Sequence, residues 1–343
     1  MFRYLLYGII IAIHLLMFIV LFMNNPVYKQ RGDGEAPPAV QQSDAAGSQS
    51  QSAAETNRAP GFPLYSDNYY RNAGLNLDQE LLRLSSQCRA AAVIDPERKM
   101  LLWGKNVDQP YPLASITKLM TVLLLMDDLR ADNNNLSLDT PVKVSLSAAK
   151  VSRRLERGVY LDSRETFSID ELLKSVLIRS ANDCAYLLAE FLSDGKPEDF
   201  VARMNRRGKE LGCKNFFFIN PHGLPEGSQD NLGSVLEIAY LTEYLWRFPE
   251  VMKWTATRRE RIRENSKPFD LDSTNALLRT CPGVNGMKTG MTNRAGHCIV
   301  VTCEREQKRI MVIVMGVTAV NGAKLRNDLA QRLVEWGYKQ SSL

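Results

Sequence analysis

Three short segments, met in order along the chain, carry side chains that fit one reaction: Ser115-Ile116-Thr117-Lys118, Ser180-Ala181-Asn182 and Lys288-Thr289-Gly290. The first offers a hydroxyl nucleophile with an amine one helical turn away. The second adds a hydroxyl that relays and an amide that orients, and the third a cationic strand suited to a carboxylate. Together they are the inventory of a serine acyl-transfer centre that works without histidine. Lys118 is then the expected base, because the chain has three histidines and none is suitably placed.

Each motif has decoys, and context separates them. Ser-x-x-Lys arises about once by chance in a chain of this size, and Ser147-Ala148-Ala149-Lys150 is a second copy. Ser115 opens the run Ile116 to Leu125, so apolar throughout that its helix must be buried, with Pro112 as a helix-start signal. Three apart on a helix, Ser115 and Lys118 share a face, and a lysine there needs a polar cleft. Ser147 instead starts a polar run ending at Glu156, where an exposed surface helix suffices. Ser-x-Asn also occurs at Ser66-Asp67-Asn68, on a linker edge, and at Ser273-Thr274-Asn275, close to the Lys-Thr-Gly segment. Ser180-Ala181-Asn182 lies between two apolar helical runs, on a turn that a cleft can hold rigid. Lys288-Thr289-Gly290 occurs once, and Gly290 leaves room for a substrate backbone beside the strand.

The elements that must position these groups follow from periodicity. Asp78 to Cys88 has helical apolar spacing, and Ala90–Ile94 with Met100–Trp103 reads as a hairpin around Asp95-Pro96-Glu97-Arg98. A second hairpin, Cys298–Thr302 with Ile310–Val317, precedes a closing helix over Lys324–Tyr338. Between these strand-rich ends lie helical runs at 115–129, 169–178, 183–192, 197–211 and 233–248. The expected fold is mixed α/β: an antiparallel sheet built from both chain ends and flanked by helices, plus an inserted all-helical lobe, with a cleft between them.

Composition bounds the partners. Of the formal charge of +5, three bases lie in the first 32 residues; the remaining 40 bases face 38 acids, too balanced for a nucleic-acid partner. The one dense basic stretch, Arg258 to Arg263, reads as a solvated hairpin face. Tyr4 to Met23 is almost wholly apolar, and 20 residues of helix span about 30 Å, the thickness of a bilayer core. No small-x-small cleavage site or lipid-attachment cysteine follows, so residues 1–28 are expected to be an uncleaved signal anchor. Residues 29–64, rich in Gln, Ser, Ala, Gly and Pro, read as a disordered tether, and 65–343 as the folded catalytic domain. The six cysteines have no zinc-ligand spacing, and no metal or other cofactor is expected. Cys298 and Cys303, five apart on one strand, fall on opposite faces and do not pair. Which thiols an exported chain would bridge is left open.

With these blocks in place the chain resembles the low-molecular-mass penicillin-binding proteins, the serine-type D-alanyl-D-alanine carboxypeptidases of the β-lactamase/transpeptidase-like superfamily. The resemblance runs from about Ala90 to Tyr338 and rests on Pro112 to Thr121, Ser180 to Asp183, Asn220-Pro221-His222-Gly223-Leu224, and Met287 to Thr292 followed by Ala295-Gly296. It implies that Ser115 attacks the penultimate D-alanine carbonyl of a peptidoglycan stem peptide, that Lys118 is its base, and that Ser180 passes a proton to the leaving amine. Asn182 would orient Lys118 and the substrate amide, and the N–H groups of Ser115 and Met291 would hold the oxyanion. Lys288, Thr289 and Arg326 would receive the terminal carboxylate beside Gly290, and β-lactams would acylate the same serine. His222 is read as structural, and Cys184 stands where a small residue such as Ala is expected.

Many relatives carry a further all-β domain and a C-terminal amphipathic anchor. Here the N-terminal span is expected to replace that anchor, holding the catalytic domain outside the bacterial inner membrane. A D-Ala-D-Ala endopeptidase would use the same residues. A class A β-lactamase would need a Glu-x-x-Leu-Asn block, which is not found, and a silent wall-binding scaffold would not need Ser115, Lys118, Ser180 and Lys288 together.

Overall fold

The computed structural model describes residues 62–131, 135–264 and 266–341. The apolar run Tyr4–Met23 and the tether up to residue 61 lie outside the described residues. Within them no helix is long and apolar enough to cross a membrane.

The chain begins with the short β1 (Arg71–Asn72) and α1 (Gln79–Ser85), then β2 (Ala90–Asp95) and β3 (Met100–Lys105). Asp78 caps α1 by accepting from Leu81 N at 2.8 Å, and Asp95 closes the hairpin by accepting from the amides of Glu97 and Arg98. The helical part follows: β4 (Tyr111–Pro112), a 3₁₀ turn (Ala114–Thr117), α2 (Lys118–Arg130), β5 (Pro141–Lys143), α3 (Leu146–Ser152), β6 (Thr166–Ser168) and α4 (Ile169–Lys174). A π turn (Ser175–Arg179) leads to α5 (Asn182–Phe191) and α6 (Pro197–Glu210), then β7 (Leu232–Gly233), α7 (Val235–Leu245) and α8 (Pro249–Ala256). The hairpin β8 (Arg259–Ile262) and β9 (Phe269–Asp272), α9 (Leu277–Thr280), β10 (Val284–Thr292), β11 (Gly296–Arg305), β12 (Lys308–Val317) and α10 (Gly322–Ser341) complete it.

Both chain ends build one six-stranded sheet in the order β1-β3-β2-β12-β11-β10, antiparallel except for the short β1–β3 pair. The strand period of two divides its side chains between two cores. Ala90, Ala92, Ile94 and Cys298 face the core shared with α2 and α7, while Ala91, Val93 and Cys303 face α1 and α10. Cys298 and Cys303 are thus on opposite faces, as their spacing requires. β10 is an edge strand, and everything from β4 to α9 is inserted between β3 and β10.

Three local differences from the sequence reading matter. Ser115 lies on the 3₁₀ turn ahead of the α-helix, which starts at Lys118. The second apolar run breaks into α4 and a π turn instead of continuing to residue 178. The packed chain also begins earlier than residue 65: Phe62 is buried, with its ring edge-on to Tyr244 at 4.9 Å. The basic stretch does form a hairpin face, on which Arg259 and Arg261 are exposed and paired with Asp270, while Arg263 turns inward to Glu165.

The amino-terminal aromatic residues are pinned by one carboxylate. Glu243 on α7 accepts from the hydroxyls of Tyr69 and Tyr70 at 3.1 and 3.0 Å and is paired with Lys99, whose ammonium lies over the Phe62 and Tyr69 rings. Replacing it leaves two buried hydroxyls and a half-buried ammonium without their acceptor. Glu243→Ala is expected to lower unfolding free energy by about 2–4 kcal/mol in a urea titration, with Ser115 reactivity in the remaining folded protein unchanged.

Candidate active site

A cleft of about 200 Å³ lies between β10 and the helical lobe, lined by Ser115, Ser180, Thr289, Gly290, Met291 and Arg326, with Arg157, Thr274, His297 and Ala323. A larger groove of about 890 Å³ runs between α1 and α10, but it holds no serine, lysine–serine pair or other nucleophile with a base. The chemistry therefore belongs to the smaller one.

Lys118 defines the site. It is fully buried, and its Nζ lies 3.0 Å from Ser115 Oγ, 2.6 Å from Asn182 Oδ1 and 2.6 Å from the His222 carbonyl oxygen. Burial, reinforced by the nearby Lys288 and then Arg157 cations, holds its amine well below the usual lysine range. Two of its neighbours are pure acceptors. A neutral amine has two hydrogens and one lone pair, so the hydrogens go to Asn182 and His222 and the lone pair is left for the Ser115 hydroxyl.

The third motif makes a second buried pair. Lys288 Nζ donates to Ser180 Oγ at 2.8 Å and to its neighbour's carbonyl, Thr289 O, at 3.0 Å. Its pKa is lowered to about 7 by burial, then by Arg157 and Arg326. Thr289 Oγ1 donates to Thr274 Oγ1 at 2.7 Å, so the Ser273-Thr274-Asn275 decoy contributes a wall of the cleft after all. Arg326 is buried, held by Asn327 Oδ1 and the Cys298 carbonyl, and burial brings its guanidinium down to about 10. Ser147 and Lys150 stay exposed on α3, away from this cleft.

Backbone placement is as specific as side-chain placement. Ala114, just before Ser115, and Ser180 both adopt left-handed conformations, with φ of 47° and 66°. Such residues cost on the order of 1–3 kcal/mol each and persist only where packing over-determines them. Around Ala114 the packing comes from the Asn220–Leu224 loop. Thr121 donates to Pro221 O at 2.6 Å, and Asn231 bridges Thr117 to the Asn220 carbonyl. A Cβ on Gly223 would stand 1.9 Å from Ala114 O. His222 serves here through its carbonyl; burial, with Lys118 adding, lowers its ring to about 3.

On the other side Asp183, unread in the sequence beyond its place in a motif, fixes the loop that carries Arg157. Its buried carboxylate accepts from Ser152 Oγ at 2.6 Å and from the amides of Val159 and Tyr160 at 3.0 and 3.1 Å. Asn182 Nδ2 donates to Glu156 O at 2.6 Å, so the second motif orients Lys118 and closes the loop together. Arg157 and Thr274 carried no recognisable signal, since each depends on a loop returning to the cleft. Cys184 is fully buried and its thiol is pushed up, mainly by that burial.

Gly290 has a different duty from the one its sequence suggests. A Cβ there would sit 3.1 Å from Ser115 N and from Leu113 O, against the nucleophile's own turn. Gly223→Ala is therefore expected to be the harsher change, lowering stability by about 3 kcal/mol or more and abolishing Ser115 reactivity. Gly290→Ala should fold with a near-parent melting curve but react slowly with a serine-acylating reagent. Equal effects of the two on melting would contradict this geometry.

Among the described residues no cluster of His, Cys, Asp and Glu is arranged to hold a metal ion. Comparison with known proteins places the chain. The sequence profile of peptidase family S11, described as D-alanyl-D-alanine carboxypeptidase, matches residues 79–319. The D-alanyl-D-alanine carboxypeptidase DacF of Bacillus subtilis is 33% identical over 258 residues, covering 75% of this chain and 64% of that protein, so the chain spans less than two thirds of that relative. A D-alanyl-D-alanine endopeptidase of Pseudomonas aeruginosa is 30% identical over 246 residues, covering 71% and 74%. The ampicillin-bound penicillin-binding protein D2 of Listeria monocytogenes shares the fold with a TM-score of 0.63 at 31% identity, over 74% of this chain and 97% of that one. The chain belongs to the D-alanyl-D-alanine carboxypeptidase family, the S11 peptidases.

Proposed function

We propose that this protein is a serine D-alanyl-D-alanine carboxypeptidase that trims the terminal D-alanine from peptidoglycan stem peptides through an acyl-enzyme on Ser115. The observation that carries this reading is the Lys118 amine, whose two fixed acceptors leave its lone pair to Ser115. As Ser115 Oγ bonds to the scissile carbonyl carbon, Lys118 takes its proton. The oxyanion is held by the amides of Ser115 and Met291, on the turn and the edge strand that meet at Gly290. Lys288, through Ser180, protonates the departing amine, and Thr289 with Arg326 binds the terminal carboxylate. Once Lys118 has passed its proton back to the now neutral Lys288, it serves again as base for the water that releases the acyl group. A β-lactam presents an acylating carbonyl and a carboxylate to the same groups and remains attached to Ser115. Cross-linked peptides belong in the same assay, because a 30% identical relative is an endopeptidase.

The same reading puts the catalytic domain on the outer side of the cytoplasmic membrane, where peptidoglycan lies, tethered by the apolar run Tyr4–Met23.

Intact mass after mixing with penicillin is expected to show one adduct, absent from Ser115→Ala, and acylation about 10²–10⁴-fold slower in Lys118→Ala. A folded parent without an adduct would overturn the enzyme reading. The pH dependence has a definite sign. The base must be neutral, so acylation is lost as pH falls through the depressed Lys118 value, far below that of an ordinary lysine. The proton donor must be charged, so it is also lost as pH rises through the Lys288 value near 7 in the free enzyme. In kcat/KM profiles Lys288→Gln should lower the rate and remove the alkaline limb near 7, leaving the acid limb in place.

A further inference from the structure

The turn leading into β10 places two thiols in contact. Cys281 follows α9, its amide donating to Leu277 O at 3.0 Å, and its carbonyl accepts from Val284 N at 3.2 Å, folding Pro282 and Gly283 into a tight return. Val284 is then the register partner of Cys303 on β11. The return lays Cys281 beside Cys303, close enough that each thiol shifts the other's titration. The fit is close: Cys303 Sγ lies 3.5 Å from Pro282 O, and a Cβ on Gly283 would stand 3.1 Å from that sulfur. Arg305 braces the pair, with Nη2 3.5 Å from Cys281 Sγ and Nε 2.9 Å from Pro282 O, and is itself paired with Glu335 at 2.6 Å. All six cysteines are free and buried. Neither of these two thiols lines the acyl-transfer cleft.

The pair is electronically uneven. Cys281, then Tyr338 and Arg305, draws the Cys303 thiol down against the opposing effect of burial, while Cys303 and burial push Cys281 up. An arginine 3.5 Å from one of two neighbouring thiols favours a thiolate within the pair, which the second thiol can then resolve.

We infer that Cys281 and Cys303 form an oxidation site, closing an intramolecular disulfide when a glutathione or protein disulfide is supplied as oxidant. The Cys303 thiolate attacks one sulfur of the oxidant and expels the other as a thiolate. Cys281, giving up its proton, then attacks the Cys303 sulfur and expels the second half. Two protein thiols are oxidised and one external disulfide is reduced to two thiols, which carry away both protons. Because the sulfurs are covered, exchange occurs when the turn opens or before it first closes in folding. The bond ties the turn that precedes Lys288 to the middle of the sheet. Only the place of oxidation in the cell rests on the export reading above.

The test is to equilibrate the full chain in glutathione redox buffers, quench with acid, alkylate the unfolded protein with N-ethylmaleimide, and weigh and map it. Four of the six cysteines should be alkylated in the oxidised sample and all six after reduction, with one linked peptide joining Cys281 to Cys303. Reduction should lower the melting temperature of the parent by about 5–10 °C and leave that of Cys281→Ala unchanged. Six alkylated thiols across the whole buffer range, or a link to any other cysteine, would overturn the inference. The peptide map of the parent decides this even where a variant folds poorly. A protein that cross-links in buffer yet leaves intact cells with six free thiols keeps the pair and refutes export.

Discussion

Burying the amine of Lys118 is the constraint on which the other arrangements depend. Taking an ammonium out of water costs several kcal/mol even after relaxation, so the group sheds its proton instead. A neutral amine in an apolar helix still has hydrogens to place. The acceptors come from two separate elements, Asn182 at the start of α5 and the His222 carbonyl in the loop before β7. The helical lobe, α2 and that loop must therefore converge within hydrogen-bonding distance of one atom. Burial that would be destabilising in a structural lysine is here what produces a base near neutral pH.

The second constraint is conformational. Ser115 meets Lys118 and Ser180 meets Lys288 from a backbone in which Ala114 and Ser180 are left-handed, a conformation alanine and serine rarely adopt. The surrounding contacts are dense enough to hold them. Gly223 allows a backbone to lie directly on Ala114, Asn231 stitches that loop to Thr117, and the π turn delivers Ser180 where a regular helix would have carried on. Asp183 performs the equivalent task across the cleft by saturating its oxygens with loop amides. Rigid, strained backbone and a water-poor amine are coupled, since looseness in either would readmit solvent and restore the lysine's proton.

The sheet supplies the remaining rigidity. Residues of β11 and β12 are buried on both faces, so neither strand can shift without disturbing two cores at once. β10 hangs on β11 as the edge strand, with its outer side open to the cleft. Thr289, Gly290 and Met291 thus line the cleft from a strand that is fixed along one side, while Lys288 stays buried behind them on Ser180.

Motif residues were legible in the sequence because catalysis constrains their chemical type: Ser115, Lys118, Ser180, Asn182, Lys288 and Thr289 converge as their order suggested. The sheet from both ends and the helical insertion were legible too, since strand and helix periods are local properties of burial. The 3₁₀ turn under Ser115, the π turn before Ser180 and the early packing of Phe62 were not, because neighbouring elements impose them against local preference. Arg157, Thr274, the His222 carbonyl and the Cys281–Cys303 contact belong to the same class. Their spacing along the chain says nothing, and they meet only where loops return across the fold. The sequence by itself determined which groups were available for acyl transfer and which elements would carry them. Tertiary structure alone decided that Lys118 is dry, that its lone pair faces Ser115, and which carboxylate, glycine and carbonyl keep it so, because desolvation and hydrogen-bond direction arise only when distant segments close around one atom.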